Sequence, residues 1–402
     1  MHNIEEEIRQ EVMNEIDLSY DVTDDEILQL IKNKIMEKSK TIPVSLIQRQ
    51  QIENHVFNSL RKLDVLEDLL ADEEITEIMI NGPDNIFIEK RGQVIHCAER
   101  FSSEEKLNDI IQNIVASANK IVNESNPIVD TRLEDGSRVN IVLKPAAVDY
   151  SIISIRKFPK EQMTMERLQS FGSIEKEQVE FLRKLVESGY NIFVSGGTGS
   201  GKTSFLNALG EFIPSDERVI TIEDSAELQL RNVQNLVRLE ARNANLEGKN
   251  EISIRDLLKS SLRMRPDRII VGECRGPEAL EMLQAFNTGH DGSLSTGHSN
   301  SCKDMLSRLE TMVLMGAEIP LAAIRQQIAA GIDVIVQLGR LRDKSRKLLE
   351  IAEIVGIEAG EIKLNTLYKF RETGEENGRI TGQWKKMGDL IHTEKLVASG
   401  KI

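Results

Sequence analysis

The chain has 402 residues, of which 40% are hydrophobic and 29% are charged, so it can form a sizeable core and two or three domains. Its net charge of −14 disfavours a nucleic-acid-binding protein, because such proteins normally carry a basic surface. Its three cysteines are widely separated, which argues against a disulfide framework and against a paired-cysteine metal site.

Residues 1–70 are predicted to form a helical N-terminal module. Apolar side chains recur at helical spacing in two runs, at 27–35 and at 56–63. A break at 41–43, which contains a proline, separates the two runs. We expect this module to be a small docking element.

Residues 71–158 change from helical to strand-like periodicity. Short apolar runs separated by turn residues, such as those at 82–85, predict strands. A helix with one apolar face is predicted around 107–115, and two further β stretches flank 135–137. The pattern therefore predicts a compact α+β domain.

A linker is predicted at 159–175, where apolar periodicity is weak. From 176 to 402, strands and helices alternate, which predicts an α/β domain with a mostly parallel sheet covered by helices. Two strands are predicted at 333–338 and 348–357. The polar segment from residue 371 onwards is expected to be a loosely packed tail.

A phosphate-binding loop is predicted between a short apolar strand and a helix. It fits the pattern G-x-x-x-x-G-K-[ST] and consists of Gly196, Gly197, Thr198, Gly199, Ser200, Gly201, Lys202 and Thr203, with Ser204 next in the helix. Backbone N–H groups in such a loop, together with the helix N-terminus, attract anionic oxygens. Lys202 is predicted to hold the β- and γ-phosphates of ATP, and the hydroxyl of Thr203 to bind Mg²⁺. The alternative, an ordinary glycine-rich turn, does not account for the strand before the loop and the helix after it. With this loop the predicted fold class is α/β with a P-loop NTPase core, and the family resemblance described below implies that this core is RecA-like.

Acidic residues follow two later apolar strands. Glu223 follows the run at 219–222, and Glu273 follows the run at 268–271. Ligands of open α/β sheets bind at the carboxyl ends of the strands, so both acids are predicted on the side of the loop. An NTPase needs one carboxylate for Mg²⁺ and a group that orients the attacking water. The alternative for each acid is a solvated strand end.

Two histidines lie in an unusual segment of small residues at 287–298. A short strand predicted at 293–296 would end near His298 and bring this side chain to the γ-phosphate, where it could respond to hydrolysis. His290 has no such position and is expected to be structural or supporting.

Four ordered segments resemble the secretion-ATPase superfamily. They are the phosphate-binding loop and the segments at 221–224, 265–273 and 289–298. The superfamily comprises type II secretion and type IV pilus motors, type IV secretion ATPases and archaeal flagellar motors. The sequence is most similar to the CpaF-type ATPases of tight-adherence (Flp) pilus assembly, over roughly residues 60–360.

The resemblance implies a two-lobed subunit with ATP at the lobe junction, and six subunits in a ring. It implies that Glu223 polarises water, that Glu273 binds Mg²⁺ and that His298 contacts the γ-phosphate. Several arginines match arginines that face the nucleotide or a neighbouring subunit, and these are Arg132, Arg138 and Arg156, with Arg242 in another arginine-bearing segment. The alternative for each arginine is a solvated surface charge.

The sequence therefore predicts a Mg²⁺-dependent ATPase that works as a homo-hexameric motor for pilus assembly or secretion. Its expected partner is a polytopic platform protein of the inner membrane, and no nucleic acid partner is expected. No run reaches 18 consecutive apolar residues and the acidic N-terminus is unlike a signal peptide, so we expect a cytoplasmic protein at the inner face of the membrane.

Two other functions stay open. A RecA-like DNA translocase or helicase is disfavoured by the acidic balance and by the lack of segments that combine aromatic and basic residues. A nucleotide-dependent scaffold is disfavoured because Lys202, Glu223 and Glu273 are all retained.

Overall fold

The computed structural model describes residues 2–16, 22–90, 92–158, 162–242 and 250–401. The chain divides into two compact units, residues 1–160 and residues 161–402. Among the described residues, no helix combines the length and the apolar character needed to cross a membrane. The three cysteines are buried and unpaired.

The first unit begins with a helical module, as the apolar spacing predicted. Its helices are α1 (His2–Glu15), α2 (Asp24–Lys38), α3 (Leu46–Arg61) and α4 (Val65–Ala71). α2 and α3 each start with a capping box, formed by Thr23 with Glu26 and by Ser45 with Gln48, which satisfies N–H groups at the helix start. The apolar faces of α1, α2 and α3 meet in one small core.

The rest of the first unit is an α+β arrangement. Its elements are β1 (Ile75–Ile80), β2 (Ile86–Lys90), β3 (Gln93–His96), α5 (Glu104–Ser117), β4 (Ile128–Arg132), β5 (Arg138–Val142) and β6 (Ile152–Arg156). The strands form an antiparallel sheet in the order β3-β2-β1-β6-β5-β4. The predicted apolar face of α5 is buried in the core with β1, β5 and β6. Alternate residues of β5 face this core, so one side of the sheet remains polar.

The second unit alternates helices and strands. Its elements are α6 (Met165–Ser170), α7 (Lys176–Glu187), β7 (Ile192–Gly196), α8 (Lys202–Gly210), β8 (Arg218–Glu223), β9 (Asn235–Glu240), α9 (Ile254–Ser261), β10 (Arg268–Val271), α10 (Ala279–Phe286), β11 (Leu294–Gly297), α11 (Cys302–Gly316), α12 (Leu321–Gly331), β12 (Val334–Arg340), β13 (Arg346–Glu358), β14 (Glu361–Glu376), β15 (Arg379–Lys386) and α13 (Glu394–Ala398).

These strands form one nine-stranded sheet in the order β15-β14-β13-β12-β7-β11-β10-β8-β9. The six strands from β12 to β9 are parallel, and β13, β14 and β15 extend one edge in antiparallel fashion. Every residue of β7, β10 and β11 is buried, as expected for parallel strands covered by helices on both faces. The predicted mostly parallel α/β sheet is therefore confirmed.

The prediction of a linker over 159–175 is wrong for most of its length. Residues 159–161 lie outside the described residues, but α6 follows them, and the Thr164 side chain accepts a hydrogen bond from the Arg167 N–H. Met165 and Leu168 are buried in the core of the second unit. A helix this short contributes only two buried apolar residues, too few to reveal a helical period.

The prediction of a loosely packed tail from residue 371 is also wrong. β14 and β15 pair with each other from Tyr368 and Lys386 to Glu376 and Arg379. The Trp384 Nε1 donates a hydrogen bond of 2.6 Å to a carbonyl oxygen of β13. Polar residues dominate this segment because it forms the edge of the sheet, where few side chains enter the core.

Candidate nucleotide-binding site

The predicted phosphate-binding loop connects β7 to α8 at the carboxyl edge of the parallel strands. Gly199 and Gly201 have φ angles of 71° and 91°, a region that residues with a side chain enter only with strain. Gly196 is so tightly packed that a Cβ would lie 2.8 Å from the carbonyl oxygen of Leu338 in β12. Gly201 is the N-cap residue of α8, and it has no side chain that could accept hydrogen bonds from the first N–H groups of this helix. These N–H groups can therefore bind an anion.

Lys202, the first residue of α8, is largely buried beside the loop. Its Nζ donates to the carbonyl oxygen of Gly197 at 3.2 Å and lies 3.2 Å from Nδ1 of His298. Burial lowers the pKa of Lys202, which the negative charge of Glu273 opposes and the positive charge of Arg275 reinforces. An anion held by the loop would offset this cost of keeping the ammonium charged.

Glu273 lies two residues beyond the end of β10, among positive groups. Its Oε2 accepts a hydrogen bond of 2.7 Å from Arg275, and its Oε1 lies 2.8 Å from Nε2 of His298. Burial alone would raise the pKa of Glu273, but the hydrogen bond from Arg275 and the charges of Arg275, His298 and Lys202 outweigh it and lower the pKa. This carboxyl is therefore ionised at neutral pH.

The predicted Mg²⁺ ligands, Thr203 and Glu273, can be tested for fit to the ion. Oε1 of Glu273 is buried, and within the described ranges no group gives it a hydrogen bond of good geometry. The same part of the chain contains no group of three His, Cys, Asp or Glu that could hold a metal on its own. Mg²⁺ is usually held by one or two carboxylates together with substrate phosphates. The residues therefore fit Mg²⁺ bound together with a nucleotide.

Glu223 is the last residue of β8 and is only 3% exposed. Its carboxylate accepts hydrogen bonds from the backbone N–H groups of Glu227 at 2.8 Å and Leu228 at 3.1 Å. Burial raises the pKa of Glu223 to about 7, although these two bonds and the charge of Arg238 oppose the change. This carboxyl can therefore take up or release a proton near neutral pH.

Glu223 ends β8, and Glu273 follows the neighbouring strand β10. β8 and β10 pair in parallel, with Ile222 opposite Val271, and a Cβ on Gly272 would lie 2.7 Å from Cγ of Glu223. The pKa of Glu223 is raised, whereas that of Glu273 is lowered. Two carboxyls whose environments separate their pKa values in this way are suited to different chemical roles.

His298 follows β11, the strand between β7 and β10. It is about one third exposed and touches both Lys202 and Glu273. Burial lowers the pKa of His298, with Glu273 opposing the change and Lys202 adding to it, so the imidazole is mainly neutral at pH 7. His290 instead lies with Nδ1 3.0 Å from the carbonyl oxygen of Ala285, a local contact at the end of α10.

The predicted arginines fall into two places. Arg138 on β5 is paired in register with Arg132 on β4 and with Arg156 on β6. Residues directly opposite each other project to the same face of a sheet, so the three guanidinium groups form a row in the first unit. Arg242 belongs to the second unit, just beyond β9, and its Nε donates to the carbonyl oxygen of Asn250 at 3.0 Å.

Three further arginines near the loop were missed from the sequence. Arg275 had a visible sign, because it is a cation two residues after a predicted Mg²⁺ ligand. Arg346 donates from Nε to the carbonyl oxygen of Gly199 at 2.9 Å, across a separation of 147 residues. A Cβ on Gly199 would lie 3.7 Å from Nη1 of Arg340. No sequence pattern predicts that Arg340 and Arg346 lie near the loop, because only the pairing of β12 with β7 brings them there.

The chain is similar in sequence and in fold to known secretion-system proteins. The sequence profile of the family described as Type II/IV secretion system protein matches residues 59–383. A putative conjugal transfer protein of Mycobacterium tuberculosis is 33% identical over 310 residues, which cover 76% of this chain and 87% of the relative. The type IV secretion system protein VirB11 of Brucella suis is 32% identical over 303 residues, which cover 69% of this chain and 84% of the relative. The Legionella pneumophila ATPase DotB has the same fold, with a TM-score of 0.51, 22% identity and coverage of 72% of this chain and 79% of DotB.

Proposed function

The chain belongs to the family of type II/IV secretion system proteins, and we propose that it is an ATP-hydrolysing motor for protein secretion or pilus assembly. The observation that supports this best is the convergence of four elements at one sheet edge. The loop after β7 holds Lys202, while β8, β10 and β11 bring Glu223, Glu273 and His298 to the same edge. A phosphate cradle, a carboxylate that can hold Mg²⁺ and a residue that can orient the attacking water are what an NTPase needs.

We assign distinct roles to these side chains. Lys202 holds the phosphates, and Thr203 and Glu273 would hold Mg²⁺, which neutralises charge on the β- and γ-phosphates when bound. Glu223 polarises the attacking water, a role that suits a carboxyl whose pKa is near 7. His298 lies between Lys202 and Glu273 and is suited to contact the γ-phosphate.

We further infer that the motor is a homo-hexamer. In this ring, arginines supplied by the subunits would complete each nucleotide-binding site. The row of Arg132, Arg138 and Arg156 concentrates positive charge on one face of the first unit. Arginines that stabilise the transition state of phosphoryl transfer are worth about 10³–10⁵ in rate. Arg242 is a further candidate for this role.

The partner we propose is a polytopic platform protein of the inner membrane, with the motor bound at the cytoplasmic face. The support is the kind of process named for the relatives, since conjugal transfer and type IV secretion both move material across a membrane. We also retain the narrower proposal of a CpaF-type motor for a tight-adherence pilus. Recovery of a polytopic membrane protein with the motor from native membranes, by cross-linking, is the expected result. Recovery of soluble DNA-processing proteins alone would contradict this partner.

The central test is ATP hydrolysis by the purified chain with and without Mg²⁺. We expect slow, Mg²⁺-dependent hydrolysis. Its specific activity, the rate per subunit, should increase with protein concentration as rings form. Lys202→Ala should abolish it, because the phosphate-holding charge is lost. Lys184→Ala, which removes an exposed lysine of α7, is the matched control and should behave as the wild type. Hydrolysis at the wild-type rate by Lys202→Ala would show that the site is wrongly assigned.

A further inference from the structure

The hairpin of β12 and β13 presents two arginines to the phosphate-binding loop of its own unit. Arg340 and Arg346 are directly opposite each other, as the last residue pair of the hairpin before its turn. Arg346 donates to the carbonyl oxygen of Gly199, and a Cβ on Gly201 would lie 3.4 Å from Cδ of Arg346. Nη1 of Arg340 lies close to Gly199. Both guanidinium groups therefore lie against the loop.

Among the described residues, no acid balances the charges of these two arginines. Within the described part of the chain, neither Arg340 nor Arg346 has a carboxylate within ion-pair distance. Like charges directly opposite each other on a sheet repel. The hydrogen bond to Gly199 uses only Nε of Arg346, and a guanidinium group has four further N–H donors. The pair is thus suited to an additional anionic ligand.

A third arginine of the same hairpin shows the opposite arrangement. Arg342, in the turn, donates from Nη1 to Oε2 of Glu372 at 2.7 Å and from Nη2 to Oε2 of Glu375 at 3.2 Å. Both acids lie on β14, so Arg342 ties the turn to its neighbouring strand. The hairpin therefore contains one arginine with a structural partner and two arginines that face the loop.

The C-terminal strands hold the hairpin in this position. Oδ2 of Asp343 in the turn accepts a hydrogen bond of 2.8 Å from the backbone N–H of Ile380 in β15. On the other side, β12 pairs in parallel with β7, with Leu338 opposite Gly196. The two arginines are thus carried by strands fixed both to the edge of the sheet and to the strand that leads into the loop.

We propose that Arg340 and Arg346 bind the phosphate groups of the nucleotide in the same subunit and favour the triphosphate over the diphosphate. Guanidinium groups bind phosphate oxygens in bidentate fashion, and the triphosphate offers more negative charge to two such groups. This inference rests on the proposed ATPase function. It also gives the C-terminal strands a role, because they brace the hairpin that carries the two arginines.

Equilibrium binding of fluorescent ATP and ADP analogues to the full chain, with Mg²⁺ present, tests the proposal. The double variant Arg340→Ala/Arg346→Ala should lose roughly ten- to a hundredfold in ATP affinity, as expected for lost charge-assisted hydrogen bonds. ADP affinity should fall less, so the ratio of ATP to ADP affinity should decrease. Arg346→Lys should retain part of this ratio, because it keeps the charge. Arg342→Ala is the matched control and should keep the wild-type ratio.

The proposal would be overturned by an unchanged ratio in a double variant that unfolds at the wild-type temperature. An equal decrease of this ratio in Arg342→Ala and in the double variant would also overturn it, because that pattern indicates only a disrupted hairpin. Failure of the proposed ATPase function would look different. In that case the wild-type chain would not bind ATP, or Lys202→Ala would bind it as tightly as the wild type.

Discussion

The two sheets of this protein hold their charged side chains in different ways. In the second unit the parallel strands are buried on both faces, and the ionisable groups Lys202, Glu223 and Glu273 lie at or beyond the strand ends. In the first unit the antiparallel strands alternate, so that Val139 faces the core while Arg138, one residue earlier, is exposed. Burial changes the pKa of a group in the second unit, whereas Arg138 and Arg156 lie on the polar face of the first unit's sheet and are exposed to solvent.

This difference suggests that the two units contribute different parts of the chemistry. The buried groups of the second unit have fixed partners and shifted pKa values, which suits them to hold phosphates and to move a proton. The arginines of the first unit form a row in register, which suits them to stabilise charge that develops elsewhere.

The largest effect is expected at the arginine row. Arg138→Ala should reduce ATP turnover by about 10³-fold or more, because an arginine that stabilises the transition state contributes about that much. Lys202→Ala should be inactive as well. If Arg138 acts across a subunit interface, mixed rings of the two variants should regain activity, because some sites then have both residues intact. The measurement is steady-state ATPase activity of co-assembled variants.

The control for this experiment is Arg100→Ala, which removes another exposed arginine of the first unit and should leave turnover unchanged. Mixed hexamers without any recovery would mean that Arg138 acts within its own subunit or outside the chemistry. In that case the first unit would not supply charge in trans, and the comparison between the sheets would keep its functional meaning only if the single variant Arg138→Ala still loses turnover.

A smaller effect is expected from the two acids of the second unit. Glu223→Gln should still bind ATP but turn it over about 10²–10⁴-fold more slowly, as expected for the loss of a general base. Glu273→Gln should also raise the Mg²⁺ concentration needed for half-maximal activity. Mg²⁺ titrations of both variants measure the difference. The control is Glu187→Gln, which changes an acid of α7 that is paired with Lys401. Equal mild effects of the substitutions at Glu223 and Glu273 would contradict separate roles for the two acids.

The smallest effect concerns pH. Burial raises the pKa of Glu223 to about 7, so its ionised, water-polarising form increases as pH rises through 7. Between pH 6 and pH 8 we expect turnover to rise by roughly tenfold, with an apparent pKa near 7. The residual activity of Glu223→Gln should lack this rise. A profile that is flat for the wild type, or identical for the variant, would exclude Glu223 as the titrating group.

The raised pKa of Glu223 affects stability in the opposite direction from turnover: turnover should increase as pH rises, whereas the free energy of unfolding should decrease. A carboxyl whose pKa is raised on folding stabilises the folded state fully below pH 4.5, and this contribution is lost as pH rises through 7. The difference in unfolding free energy between the wild type and Glu223→Gln should therefore change by on the order of 3 kcal/mol between pH 4 and pH 8. Urea unfolding of both proteins at several pH values would measure this difference. The wild type should become less stable relative to Glu223→Gln as pH rises.

Much of the fold was predictable because its signs are local. The apolar face of α5 and the alternation of strands and helices after residue 176 can be read from residue spacing alone. The match of the secretion-system family to residues 59–383 confirms the resemblance drawn from four short segments. Two regions were misjudged, namely α6 and the C-terminal strands, since a very short helix and polar edge strands have weak patterns.

What the sequence alone determined about this protein is the glycine-rich loop between β7 and α8 that we propose binds phosphate, because glycine spacing, one lysine and the flanking strand and helix are all contiguous. It also determined that Glu223 and Glu273 follow strands, and hence that they lie on the ligand side of a parallel sheet. Only the tertiary structure decided the order of those strands, and therefore which distant residues meet. β12 lies beside β7, so Arg346 reaches Gly199 across 147 residues. β8 lies beside β10, so Glu223 and Glu273 follow neighbouring strands. Strand pairing depends on backbone hydrogen bonds and on core packing over the whole unit. It therefore cannot be predicted from the local spacing of residues.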